Sequence, residues 1–213
     1  MYDTDEEQIE ALKKWWMANG NMLIGGLLIA VIAYFGINFY KDTRLAQKEA
    51  ASSVYQSLVE LATETQSLSG DKLAEANASI STLKKDYADS TYAIYASLYS
   101  AKLAVESGDL DLAASELNWA LDQKIPVSLQ QLIQLRLARI EFARGNEGAA
   151  LKLLSNESGQ QKVGFEEVRG DILLSQGDTD GARLAYQNAF EAAQAANLQR
   201  PVLEMKLNDL VAN

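Results

Sequence analysis

Residues 163–190 read VGFEEVRGDILLSQGDTDGARLAYQNAF, and two earlier segments of the chain share this pattern. They are IYASLYSAKLAVESGDLDLAASELNWAL at 94–121 and QLIQLRLARIEFARGNEGAALKLL at 131–154. Each segment has a glycine followed by Asp or Asn, with a small residue seven positions earlier and an alanine five positions later. The glycines are 37 and 32 residues apart. These distances bracket the period of about 34 residues that is typical of tetratricopeptide repeats.

The repeated spacing predicts one helix–turn–helix pair in each segment. Glycine adopts the left-handed backbone conformation that ends a helix, and the Asp or Asn after it caps the next helix. Small residues are needed where two helices cross closely. The second segment has Glu157 where the others have alanine, so a short second helix or an irregular exit loop is expected there. The repeat signature comprises Ala101, Gly108, Ala113, Ala120, Ala138, Gly145, Ala150, Gly170, Gly177, Ala182 and Ala189.

The predicted fold is all-α, with an N-terminal transmembrane helix followed by a tetratricopeptide-repeat-like solenoid of helix pairs. We expect the pairs at about 45–87, 91–122, 128–155 and 163–195, with a C-terminal capping helix at 201–210. Pro201 suits the first turn of that last helix. Ser128 and Gln131 have the spacing of a capping box at the start of the third pair.

Residues 15–40, WWMANGNMLIGGLLIAVIAYFGINFY, contain no charged residue and have aromatic residues at both ends. This length is sufficient to cross a hydrocarbon core of about 30 Å. The preceding segment, 1–14, is acidic, and the apolar run is longer than the core of a signal peptide, so we predict an uncleaved anchor. Small residues on one face suggest a contact with another transmembrane helix, although ordinary small-residue content explains them equally well. They are Gly25, Gly26, Ala30 and Ala33.

The charges beside the anchor do not decide its orientation. Lys13 and Lys14 lie before it, and Lys41, Arg44 and Lys48 follow it. The count is nearly balanced, and a long domain is translocated largely regardless of such charges. The count slightly favours a cytoplasmic domain at 41–213, but from the residues alone the two orientations are nearly even.

The composition excludes several classes of chemistry. The chain has a formal net charge of −10 and contains neither histidine nor cysteine. Ser-His-Asp and Cys-His catalysis, disulfides and most zinc sites are therefore excluded. Residues 45–213 carry 23 acidic and 15 basic residues, which argues against binding to nucleic acid. We predict no catalytic residue, no metal site and no cofactor.

A binding surface remains as the candidate functional site. In stacked helix pairs, the first helices line the concave face, where a peptide or a loop of a partner binds. The alternative is that the candidate residues given below simply occupy exposed or half-buried helix positions and bind nothing. The candidates from the repeat frame are Tyr95, Leu98, Lys102, Arg139, Phe142, Glu167 and Asp171.

Four parts of the sequence are characteristic: the acidic head, ANGN at 18–21, QLRLAR at 134–139 and RGDILLSQGDTDGAR at 169–183. In these parts the chain resembles the YfgM family of proteobacterial inner-membrane proteins. The resemblance implies a single-pass protein with a cytoplasmic N-terminus and a periplasmic repeat domain. It also implies an ancillary role at the SecYEG translocon, beside the membrane-anchored chaperone PpiD, in the transfer of exported polypeptides to periplasmic chaperones.

Three further functions stay open at this point. One is an enzyme, which would require a pair of carboxylates with strongly raised pKa values in a pocket. The resemblance suggests a link to an envelope-stress response, in which the protein sequesters or presents a signalling component. Another alternative is that the protein binds only a second copy of itself, through the concave face or the anchor. If the partner in a stress response is cytosolic, the side of the membrane on which residues 41–213 lie distinguishes a stress regulator from a translocon scaffold.

Overall fold

The computed structural model describes residues 5–64, 69–155 and 161–211, and these residues form helices and no strand. The chain divides into two compact units, Met1–Ala50 and Ala51–Asn213. The all-α class predicted from the sequence is confirmed. The helices are α1 (Asp5–Glu64), α2 (Gly70–Asp86), α3 (Thr91–Glu106), α4 (Leu110–Leu121), α5 (Val127–Ala143), α6 (Glu147–Leu153), α7 (Lys162–Ser175), α8 (Thr179–Ala195) and α9 (Pro201–Val211).

The described residues of the first unit form the N-terminal part of α1. Its large apolar side chains are exposed, as Ile32 illustrates with 71% of its surface accessible. Such a surface is unfavourable in water, whereas the hydrocarbon core of a bilayer accommodates it. Among the described residues, α1 is the helix that is long and apolar enough to cross a membrane.

In the second unit, successive helices pack on one another, and their apolar residues form four clusters along the chain. The first joins Ala51 and Leu58 of α1 to α2 and α3. The second lies between α3, α4 and α5, and the third between α5, α6 and α7. The fourth joins α8 to α9. This order of packing is that of stacked helix pairs, in which each repeat contacts its neighbours.

The turns between paired helices have the predicted backbone conformation. Gly108, Gly145 and Gly177 have φ angles of +80°, +81° and +81°, in the left-handed region that favours glycine. Asp109 and Asp178 cap the following helices, each accepting a hydrogen bond from a backbone N–H at 2.9 Å. The turn at Gly145, between α5 and α6, departs from this capping pattern.

Asn146 makes no side-chain cap at the start of α6. Its Nδ2 instead donates to Oε2 of Glu141 at 2.7 Å, because that buried carboxylate lies within reach at the end of α5. The predicted short helix of this repeat is present, since α6 has seven residues.

The capping box predicted from Ser128 and Gln131 is wrong. The helix begins at Val127, and Pro126 is its N-cap, with φ −60° and ψ 147°. The Pro126 carbonyl accepts hydrogen bonds from the N–H groups of Leu129 and Gln130, each at 3.0 Å. Ser128 therefore lies inside the first turn. Because the fixed φ of proline is compatible with this position, the helix starts without a capping side chain.

Candidate functional site

A cavity of about 630 Å³ opens between α1, α3, α4 and α5 within the second unit. Its walls are mainly apolar and aromatic, and three cationic side chains lie among them. We call this surface the groove and define it by Tyr55, Tyr95, Leu98, Tyr99, Lys102, Arg136 and Arg139. Its volume lies in the range of binding pockets, roughly 300–1,000 Å³.

Four of the seven residues predicted for the concave face line the groove: Tyr95, Leu98, Lys102 and Arg139. Lys102 and Arg139 both stand six positions before a turn glycine, so the repeat itself brings them to the same face. Because these residues come from the first helices of two successive pairs, their side chains converge on one cavity.

The sequence reasoning missed Tyr55, Tyr99 and Arg136. Tyr99 and Arg136 occupy equivalent places, nine positions before Gly108 and Gly145. Their shared position in the repeat is the signal that identifies both. Tyr55 precedes the recognisable repeats, so no alignment with them identifies it.

Aromatic rings form one wall of the groove. The ring centroids of Tyr55 and Tyr95 are 6.0 Å apart, and those of Tyr55 and Tyr92 are 5.4 Å apart. Tyr95 keeps 40% of its surface exposed, so its ring is available to a ligand. Burial is the main reason that the pKa of Tyr99 is raised above its ordinary value. The Tyr99 phenol is therefore neutral at physiological pH.

The groove carries more positive than negative charge. Nζ of Lys102 lies 3.4 Å from Oε1 of Glu106, the carboxylate at the rim of the cavity, and 5.4 Å from the Tyr99 ring centroid. Within the described part of the chain, the Arg136 and Arg139 guanidiniums form no ion pair. Two arginines thus face an apolar cavity with no carboxylate of the described residues bound to them.

Arg136 and Arg139 are exposed, whereas charged side chains that pack between helices elsewhere in the second unit are paired. Lys84 Nζ lies 2.6 Å from Oε2 of Glu116, and the Ser97 hydroxyl donates to the same oxygen at 3.0 Å. Arg144 bridges Glu141 at 2.7 Å and Asp111 at 2.6 Å. The Lys84–Glu116 pair joins α2 to α4, and the Arg144–Asp111 pair joins the end of α5 to α4. The role of these pairs is structural, and the groove arginines differ from them.

The remaining three candidates lie outside the groove. Phe142 packs against the apolar cluster between α5 and α7. Glu167 binds Arg200 and lies 3.4 Å from Lys206 Nζ. Asp171 lies 2.6 Å from the same Lys206 Nζ and accepts a hydrogen bond from the Tyr186 hydroxyl at 2.7 Å. The two carboxylates therefore hold the C-terminal helix to the last repeat.

Tyr186 gives this ion-pair network a measurable pH dependence. Burial, and then its hydrogen bond to Asp171, raises the pKa of Tyr186 above its ordinary value of about 10. The stability that this shift contributes is complete below about pH 10 and is lost as the pH rises through the folded-state pKa. We therefore expect a fall in the free energy of unfolding above about pH 10. Urea titrations at several pH values should show a smaller decrease in the free energy of unfolding for Tyr186→Phe than for the natural protein. Equal decreases for the two proteins would contradict a raised pKa of Tyr186.

The small residues of the anchor are accessible. An added Cβ at Gly25 or Gly26 meets no atom within 4 Å, and Ala30 and Ala33 are exposed. The proposed contact of this face with another transmembrane helix stays a prediction. Among the residues that the structure describes, no three His, Cys, Asp or Glu side chains gather as a possible metal site.

Stacked helix pairs, left-handed glycine turns and a candidate membrane span define a tetratricopeptide repeat-like protein with one apolar N-terminal helix. A model of the tetratricopeptide repeat-like domain family matches residues 13–212. Proteins named "Ancillary SecYEG translocon subunit" are similar over nearly the whole chain. The one from Haemophilus influenzae is 32% identical and covers 98% of this chain and 99% of its own.

The relative of that name from Escherichia coli is 29% identical, over 99% of this chain and 98% of its own. The one from Neisseria gonorrhoeae is 26% identical over 97% of each. No solved structure matches the chain. The chain belongs to the family of the ancillary SecYEG translocon subunits.

Proposed function

We propose that this protein is a non-enzymatic scaffold, tethered in the inner membrane, that works at the Sec translocon. The observation that carries the proposal is the near full-length similarity to relatives named as ancillary SecYEG translocon subunits. The chemistry is consistent with it, since the chain has no histidine or cysteine and the groove has a volume of about 630 Å³, enough for side chains of a bound peptide. Such a protein acts by holding other proteins together.

In this proposal, residues 15–40 cross the membrane, the acidic head at 1–14 is cytoplasmic and residues 41–213 are periplasmic. The exposed apolar side chains of α1 support the membrane span. The orientation is supported by the resemblance to the YfgM family. A tether of this kind raises the effective concentration of the repeat domain near a membrane partner, so weak contacts suffice.

The finer part of the proposal concerns partners. The groove would receive segments of exported polypeptides or of the membrane-anchored chaperone PpiD, and the protein would assist transfer to periplasmic chaperones. The accessible small-residue face of the anchor, with Gly26 and Ala30, would contact a helix of the translocon or a second copy of the chain.

Co-purification tests the association with the translocon. The full chain, tagged at its C-terminus, is isolated from membranes in mild detergent, and the recovered SecY is quantified against an unrelated tagged single-span protein. We expect SecY well above that background. In a matched variant, 26 leucine and alanine residues replace residues 15–40. The decrease in recovered SecY relative to the natural chain gives the share of binding that depends on the anchor sequence. Recovery at background level by the natural chain would refute the proposal.

Protease treatment of spheroplasts tests the orientation. The repeat domain should be degraded in intact spheroplasts, leaving a fragment that ends soon after Lys41. Protection of the domain until the membrane is lysed would reverse the orientation. It would then favour the regulator of a stress pathway with a cytosolic partner.

A further inference from the structure

The charge at one repeat position changes sign along the stack. Lys102, Arg139 and Asp171 each stand six residues before a turn glycine. In the last repeat the chain supplies the opposite charge itself, because Lys206 Nζ lies 2.6 Å from Asp171. In the two earlier repeats the position is basic. Glu106, at 3.4 Å from Lys102, is the carboxylate that lines the groove there.

The groove also offers apolar surface beside these cations. Tyr55 and Tyr95 stand with ring centroids 6.0 Å apart, and Leu98 lines the same cavity. A cavity of about 630 Å³ accommodates large side chains of a ligand. Arginine binds carboxylates through two parallel hydrogen bonds and stacks on aromatic rings, so Arg136 and Arg139 suit a ligand that has both features.

We propose that the groove binds an acidic segment of a partner polypeptide that also carries a large apolar side chain. The carboxylates of the segment pair with Arg136 and Arg139, and the apolar side chain packs against Tyr55, Tyr95 and Leu98. This inference rests on the proposed scaffold function and specifies the chemistry of the segment that the scaffold holds.

Charge favours a polypeptide over a lipid surface as the occupant. Residues 45–213 carry 23 acidic and 15 basic residues, so most of the domain is repelled by an anionic bilayer. A short acidic segment can reach the basic groove without bringing a large negative surface against the rest of the domain. The same surplus of acidic residues disfavours adventitious binding of acidic peptides elsewhere on the domain.

Peptide binding to the full chain tests the proposal. The protein is placed in nanodiscs of zwitterionic lipid, and two fluorescein-labelled peptides of equal length are titrated by anisotropy. One alternates Asp and Glu with Phe, and the other has Lys in place of every acidic residue. We expect the acidic peptide to bind at least about tenfold more tightly and to weaken as salt increases.

Charge reversal identifies the groove as the binding site. Arg136→Glu with Arg139→Glu should weaken binding of the acidic peptide by about tenfold or more. The matched control, Lys152→Glu with Lys162→Glu, changes net charge equally at exposed residues of α6 and α7 that do not line the groove. Its affinity should stay within about twofold of the natural protein. Circular dichroism verifies that both variants are folded.

Several outcomes would overturn the proposal: equal affinity for both peptides, equal losses in both double variants, or competition by phosphatidylglycerol vesicles but not by unlabelled acidic peptide. The SecY co-purification separates this inference from the proposed function. Recovery of SecY without preference for the acidic peptide defeats the inference alone. Preferential peptide binding without recovery of SecY defeats the translocon assignment alone.

Discussion

Replacing Phe165 by alanine is expected to lower the free energy of unfolding by about 3–5 kcal/mol. Phe165 is 1% exposed and lies in the cluster that joins α5, α6 and α7, together with Leu135, Leu154 and Ile172. Truncation removes most of its buried apolar surface and leaves a cavity where two repeats meet. Because each repeat is stabilised mainly by its neighbours, this loss weakens the stack at its middle.

The measurement is urea unfolding of the full chain in detergent micelles, followed by far-ultraviolet circular dichroism. Leu184→Ala on α8 is the matched control, since this side chain is 60% exposed. Its effect should stay within about 0.5 kcal/mol. A loss of less than about 1 kcal/mol for Phe165→Ala would contradict the packing described between α5 and α7.

Replacing Gly170 by alanine is expected to lower the free energy of unfolding by about 1–3 kcal/mol. An added Cβ would lie 2.4 Å from Cε1 of Tyr186, a buried ring that is also hydrogen-bonded to Asp171. Alanine is favoured over glycine inside a helix by about 1 kcal/mol, so the steric conflict must exceed that gain. The same denaturation experiment measures the effect.

The same substitution at Gly148 is expected to have the opposite effect on stability. An added Cβ there meets no atom within 4 Å, and the residue lies inside α6. Gly148→Ala should therefore raise stability by about 0.5–1 kcal/mol. A lower free energy of unfolding for Gly170→Ala and a higher one for Gly148→Ala would support the close approach of Tyr186 to Gly170. Stabilisation by both substitutions would refute it.

The pairing of Gly170 with Tyr186 also explains why the third repeat differs from the others. The equivalent pairs are Ala101 with Leu117 and Ala138 with Leu154, and each pair lies in one apolar cluster. Because tyrosine is larger than leucine, the residue opposite it must be smaller. Adding Tyr186→Leu to Gly170→Ala should thus recover at least about 1 kcal/mol relative to the sum of the single effects. Strict additivity would show that the two positions do not constrain each other.

The repeat frame predicts those features that each helix pair builds for itself. Gly108, Gly145 and Gly177 adopt the expected left-handed conformation because the turn is a local property of the sequence. Lys102 and Arg139 share the groove because equivalent positions on successive first helices face the same way. These inferences needed only the spacing of residues.

Features that depend on contacts outside the repeat frame were not predictable in this way. The repeat frame assigns Glu167 and Asp171 to the concave face, yet Lys206 of α9 binds both, and α9 is not part of a repeat. Tyr55 enters the groove from α1, whose sequence shows no repeat signature. Pro126 is the N-cap of α5 and lies two residues before the apparent capping box. In each case, a residue distant from the motif or unlike it determines the local structure.

Photo-crosslinking in intact cells tests most directly whether the anchor and the groove bring this protein to the translocon. Photoreactive residues replace Ala30 in the anchor, Lys102 in the groove and, as a control, exposed Leu184 on α8. We expect adducts with translocon subunits or exported polypeptides from Ala30 and Lys102, and background levels from Leu184. Adducts with cytosolic proteins alone, or equal labelling from all three positions, would contradict a membrane-tethered scaffold at the Sec translocon.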